Sequence, residues 1–191
     1  MKIHSPLLLL AFAAGLAGCL PADDGDDGDD GAGDGEVIHT EDLGDGSHLT
    51  VVDARDETTW QHLDFESGAA VSEDSATWDL GFLRFNVATR VEVASLMNVD
   101  FDALTVAPAD GYRTDAEATG PADMETMPGY ALDLWYDYDH ATHVLTARTD
   151  VVYVVHSAEG NYFKVQMQDY YDDAGTAGYV SLRWAPIEAP V

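Results

Sequence analysis

Cys19 is the only thiol in the chain. It has no second cysteine to bridge to. If Cys19 is itself modified, cysteine-based zinc sites and Cys–His nucleophiles are excluded as well. The remaining groups able to do chemistry are seven histidines, five methionines and 36 carboxylates. No Gly-x-Ser-x-Gly elbow, His-Glu-x-x-His pair or phosphate-cradling glycine loop organises them. A glycosidase-type carboxylate pair needs a defined separation across a cleft, and spacing along the chain does not set that. Asp79, beside Trp78, reads either as such an acid or as a buried acceptor that ties down a neighbouring strand. The chain is read as a non-enzyme.

The setting of Cys19 points to lipid chemistry. A short n-region carrying Lys2 precedes an apolar run over 7–16, which ends in Leu16-Ala17-Gly18-Cys19. The run is too short for a spanning helix, which needs ~20 apolar residues, and it fits a secretory signal over 1–18. Leu-Ala-Gly-Cys resembles the lipobox of bacterial lipoproteins. That resemblance implies diacylglycerol on the Cys19 sulfur and acylation of its new amine after cleavage. Each buried CH₂ contributes ~0.8 kcal/mol, and stable anchoring takes two or more chains. The implied partner is therefore the lipid bilayer and the implied place the bacterial cell envelope. Leu20, where an aspartate would favour inner-membrane retention, points to the outer membrane.

Residues 19–36 read as a tether. The stretch 23–36 holds eight acids and no base among glycines, a composition that cannot bury apolar surface and extends by self-repulsion. Asp-x-Asp-Gly spacing also occurs in EF-hand loops, but an EF-hand needs flanking helices and a distal glutamate, and no helix-period segment flanks this tract. The whole chain carries a formal charge of −28. Such a surface repels nucleic acid, which needs a basic footprint.

The rest, 37–191, reads as one all-β domain of antiparallel meander hairpins with little helix. Val, Tyr, Trp, Phe and Thr concentrate in candidate strands over 49–54, 58–65, 77–87, 91–97, 131–138, 151–156, 162–171 and 179–184. Phe163, Val165 and Met167 alternate with Lys164, Gln166 and Gln168, as one buried and one wet face require. In 78–87 the apolar phase switches from Trp78, Leu80 and Phe82 to Leu83, Phe85 and Val87, which predicts a bulge or a change of core face. Turns are expected at 157–160, 172–175 and 137–143. The stretch 107–129, with its prolines and glycines, is the least strand-like.

Trp60 to Gly68, WDLGFLRFNV at 78–87, WYDYDHATHVL at 135–145, VVYVVHSAEGNYFKVQMQDYY at 151–171 and the closing Gly-Tyr-Val-Ser-Leu-Arg-Trp together resemble the HmuY-like family of secreted or lipid-anchored bacterial proteins. Where relatives often carry Asn-Gly-Gly after the Trp-Asp strand, this chain reads Ala88-Thr89-Arg90-Val91. The resemblance implies an all-β hand-like fold. It also implies haem as cofactor, captured from solution or from a haem-carrying protein and held between two axial side chains on loops at one end. Histidine nitrogen and methionine sulfur are suitable axial ligands. In the 107–129 loop these are Met124 and Met127, with Tyr112 as a rarer type; in the 137–143 reversal they are His140 and His143. Arg113 and Arg148 are the candidates for the propionates.

Two plainer readings stand beside this one. His143 caps a hairpin, and the two methionines fill gaps against the sheet. His156 then ends a buried strand against a turn, and His39, His48 and His62 are surface or hairpin residues. Under that reading the domain is a surface interaction or adhesion module that keeps the fold without haem.

Overall fold

The computed structural model describes residues 36–116, 129–133 and 135–191. Cys19, Met124 and Met127 lie outside them. Among the described residues there is no helix. The strands are β1 (Ile38–Asp42), β2 (His48–Asp53), β3 (Gln61–Asp64), β4 (Ala69–Val71), β5 (Leu80–Leu83), β6 (Asn86–Thr89), β7 (Glu92–Met97), β8 (Tyr112–Arg113), β9 (Tyr136–Asp139), β10 (Val144–Ala147), β11 (Val151–His156), β12 (Tyr162–Tyr171) and β13 (Ala177–Ile187). They form a seven-stranded sheet in the order β1-β2-β13-β12-β11-β7-β8, a four-stranded sheet β4-β3-β5-β6, and the separate hairpin β9-β10. Every strand pairing is antiparallel. The all-β antiparallel class expected from composition is what forms.

The run Val-Val-Tyr-Val-Val in β11 shows why. Successive side chains in a strand point to opposite faces. Val151, Tyr153 and Val155 enter the main core with Leu63, Phe82, Val165 and Leu182. Val152 and Val154 point the other way, into smaller clusters with Phe101, Ala185, Ala94 and Ala107. A strand buried on both faces reads as continuous apolar sequence rather than alternation. Burying each such side chain contributes roughly 1.5–3 kcal/mol.

The phase switch at 78–87 has a different cause from the one expected. The segment is not one bulged strand. It is the hairpin β5–β6, closed by the two-residue turn Arg84-Phe85, with Leu83 facing Asn86. Arg84 takes φ 54, a conformation that normally selects glycine or asparagine. The turn is pinned from outside. Arg84 N–H donates to the Ala54 carbonyl (2.8 Å), and Trp135 Nε1–H donates to the Phe85 carbonyl (3.0 Å). The strand expected over 131–138 begins only at Tyr136, because 131–133 turns. The turns at 157–160 and 172–175 form as expected, with Gly160 at φ 89 and Gly175 at φ 83.

Candidate functional site

The sequence Asp139-His140-Ala141-Thr142-His143 forms the tip of the β9–β10 hairpin. Asp139 organises it: its Oδ1 accepts Ala141 N–H at 2.7 Å and Thr142 N–H at 3.4 Å. Its carbonyl accepts His143 N–H at 2.8 Å. The bonds from Ala141 and Thr142 hold the Asp139 carboxyl below the ordinary carboxylate range. His143 closes the turn at φ 59. Its Nδ1 lies 2.7 Å from the Tyr138 phenol oxygen. The His140 ring meets the Tyr138 ring edge-on at 5.0 Å. Both imidazoles are exposed.

The base of this hairpin is well held. Trp135 is buried (1%), and its carbonyl accepts Arg148 N–H at 2.8 Å. Leu145 N–H donates to the Tyr171 hydroxyl at 3.0 Å, and Tyr136 meets Phe85 edge-on at 5.9 Å.

The base of the long loop is pinned nearby. Asp115 accepts Ala131 N–H (2.7 Å) on one oxygen and Thr89 N–H (2.8 Å) on the other. Burial raises its carboxyl despite these bonds. Ala116 bridges Gly129, which closes the segment carrying Met124 and Met127. Thr89 anchors this loop and Phe85 anchors the hairpin. They stand at the two ends of β6, roughly 13 Å apart at ~3.3 Å per residue. The bases of both candidate loops therefore lie along one short edge.

The two arginines flank this edge, and each is already paired. Arg113 donates to the Ala131 carbonyl (2.7 Å) and to Asp133 (2.8 Å). Arg148 pairs with Asp150 (3.1 Å) and lies 4.0 Å from the Met97 sulfur. Surface pairs of this kind are worth only ~0–1 kcal/mol, so an incoming anion can displace them. Phe85, Met97, Tyr138 and Val144 leave 36–45% of their surfaces exposed around the same region. Spacing along the chain gives no hint of Met97, Phe85 or Tyr138, because their positions depend on strands that meet only in the fold.

A second polar cluster lies elsewhere. Asp79 is fully buried (0%). It accepts Phe65 N–H at 3.0 Å and Ala158 N–H at 2.8 Å. Of the two readings of Asp79, the acceptor that ties strands together is the one realised. Burial pushes its carboxyl up to about 6, against the two N–H bonds. Asp64 and Glu66 each bring a carboxylate oxygen within 4.8 Å of it, but Asp64 is occupied by Glu66 N–H, Ser67 and Thr77. Glu66 Oε1 accepts from Ser157 and Asn161.

The other histidines have structural settings. His48 stacks on Trp184 at 4.4 Å and His156 on Tyr162 at 4.4 Å, with Glu92 3.6 Å from His156. His62, expected at the surface, is buried (7%) against Trp78, and burial lowers its ring below the usual histidine value.

A cavity of about 490 Å³ opens between Phe65, Phe163, Trp184 and Ile187. It includes Tyr162, at the start of β12. The hairpin contacts Tyr171, at the end of β12. About nine residue steps, or roughly 30 Å, separate them, so the cavity does not open at the hairpin that carries His140 and His143.

A two-sheet antiparallel body with a separate hairpin, and with the bases of two loops along one edge, defines the class, an all-β antiparallel scaffold. The family model described as HmuY protein matches residues 56–184, and the chain belongs to the HmuY family. A candidate HmuY-like haem-binding protein from Bacteroides vulgatus superposes with a TM-score of 0.61 at 21% identity, covering 78% of this chain and 96% of that one. A candidate lipoprotein from Bacteroides fragilis gives 0.59 at 20% identity, covering 76% and 91%. The apo HmuY analogue of Tannerella forsythia gives 0.56 at 18% identity, covering 77% and 95%. No curated protein matches the chain in sequence.

Proposed function

We propose that this chain is a lipid-anchored haem-binding protein of the bacterial cell envelope, placed in the outer membrane. In this reading residues 1–18 are a signal peptide, Cys19 carries the lipid, 19–36 is a tether and 37–191 is the binding domain. Haem would supply a redox-active iron, and His143 or His140, together with Met124 or Met127, would hold it. Arg113 and Arg148 would exchange their carboxylate partners for the propionates.

The observation that carries the reading is the family match over 56–184. The chemistry of the described donors fits. Exposed imidazoles stand on a hairpin rimmed by Phe85, Met97, Tyr138 and Val144, and two guanidinium groups lie within reach of that edge. A second reading, an interaction module without haem, is favoured by one feature: the 490 Å³ cavity opens at the other end of β12.

Hemin titration of the full chain in detergent micelles separates them. The first reading expects a saturable Soret shift at micromolar protein, altered in Met124→Ala or Met127→Ala and in His143→Ala. No saturable shift would leave the second reading standing. Lipidation is tested by mass spectrometry: the mature chain gains acyl mass, and Cys19→Ser does not.

A further inference from the structure

Four of the described histidines, His48, His62, His140 and His156, have aromatic neighbours but no hydrogen-bonded ring nitrogen among the described residues. His143 alone has a ring nitrogen in a hydrogen bond there, to Tyr138 at 2.7 Å. An imidazole that ligates a metal through Nε2 must carry its proton on Nδ1, and that proton needs an acceptor. The Tyr138 phenol oxygen fills that role when the His143 proton sits on Nδ1, and donates to Nδ1 in the other tautomer. The Nε2 of His143 is left without a partner among the described residues, on an exposed turn.

We infer that Tyr138 is a positioning residue. Its oxygen accepts the His143 Nδ1–H, fixes the ring and tautomer, and so selects His143 over His140 as the axial nitrogen. This rests on the haem reading above. The backbone supports the selection. His143 takes a left-handed φ of 59 one position before Val144, Tyr138 stands one position before that residue's strand partner Asp139, and the two side chains meet across the turn. Asp139 locks that geometry through Ala141 and His143 N–H. His140 meets the same phenol ring only by its edge, and no acceptor among the described residues faces either of its nitrogens. A ring with no acceptor keeps its tautomer and orientation free, and must lose that freedom on ligation.

Two measurements on the full chain in detergent micelles test this. The first uses no haem. Long-range ¹H–¹⁵N NMR of the histidine rings, at a pH where they are neutral, should find His143 in the Nδ1–H tautomer. In Tyr138→Phe it should move toward the Nε2–H form. Finding the Nε2–H form already in the unmodified chain would overturn the inference. The second is hemin titration. Removing an outer-shell partner of a metal ligand typically weakens binding about 10–100-fold, and Tyr138→Phe should do so with loss of low-spin character. Tyr138→Gln, which keeps a carbonyl acceptor, should recover part of the loss. His39→Ala, on the exposed face of β1, serves as the unchanged control. If the unmodified chain binds hemin and Tyr138→Phe binds it equally well, the positioning role is wrong and the haem reading survives. If the unmodified chain binds no hemin, the haem reading falls and takes this role with it.

Discussion

Asp79 and His143 are both polar residues in unusual surroundings, and they behave in opposite ways. Asp79 is sealed between the sheets, and both its oxygens are occupied by backbone N–H groups. Phe65 follows β3 and Ala158 follows β11, so one side chain ties the four-stranded sheet to the seven-stranded one. His143 sits outside, on a hairpin that neither sheet includes, with one nitrogen held and one left over. A buried group with a full set of partners is part of the architecture. An exposed group that is oriented but not saturated is available to a ligand. Burial and partner count therefore separate a structural tie from an available donor here better than residue type does.

The sharpest way to break this contrast is to remove Asp79. At pH 5, where its carboxyl is mostly neutral, Asp79→Ala leaves two buried N–H groups without acceptors, each costing about 1–3 kcal/mol. Urea denaturation should show a loss of about 3 kcal/mol. A loss below about 1 kcal/mol would mean that the sheets are joined by apolar packing alone and that Asp79 is no tie.

The next effect concerns pH. The Asp79 carboxyl is pushed up to about 6 when folded, so the native state holds its proton more tightly than the unfolded chain does. Its contribution is fully present below the ordinary carboxylate value and is lost as pH rises through about 6. Between pH 4 and 7 this removes about 2 kcal/mol. Asp45, Asp53, Asp56, Asp139, Asp150 and Asp172 shift downward instead. Their contribution is present above the ordinary value and fails only in stronger acid. Stability should therefore peak near pH 4–5, and the decline toward neutrality should flatten in Asp79→Asn. A decline of equal slope in that variant would assign the effect to Asp115, whose carboxyl burial also raises, and to general repulsion in a chain of charge −28.

The same contrast explains what was legible in the sequence. Long strands announce themselves: β11 by an unbroken apolar run, β12 by alternation, and their connecting turn by Gly160. Short edge strands do not. β4 spans three residues and β8 two, too few for any period, and β1 is mostly exposed polar sequence. The Arg84-Phe85 turn was hidden because its left-handed residue is an arginine held by Ala54, with Phe85 held by Trp135, contacts that exist only after folding. In the candidate site, the reversal at 137–143 and its two histidines could be read from residue types. The choice between those histidines could not, because it depends on where the Tyr138 oxygen lands.

The smallest expected effect is the most telling about His143. A non-glycine residue at φ 59 costs roughly 1–2 kcal/mol relative to its usual conformations, and glycine relieves that cost at the expense of a floppier unfolded chain. The exposed Tyr138 contact returns little of it. His143→Gly should therefore raise thermal stability by up to about 1 kcal/mol while abolishing the axial nitrogen that hemin titration reads. Adding free imidazole to the loaded variant should restore part of the low-spin spectrum, because the vacated position keeps its surroundings. A variant that is both less stable and still able to bind hemin normally would make His143 a hairpin cap after all, held in strain by Tyr138 for the sake of the turn and not for a ligand.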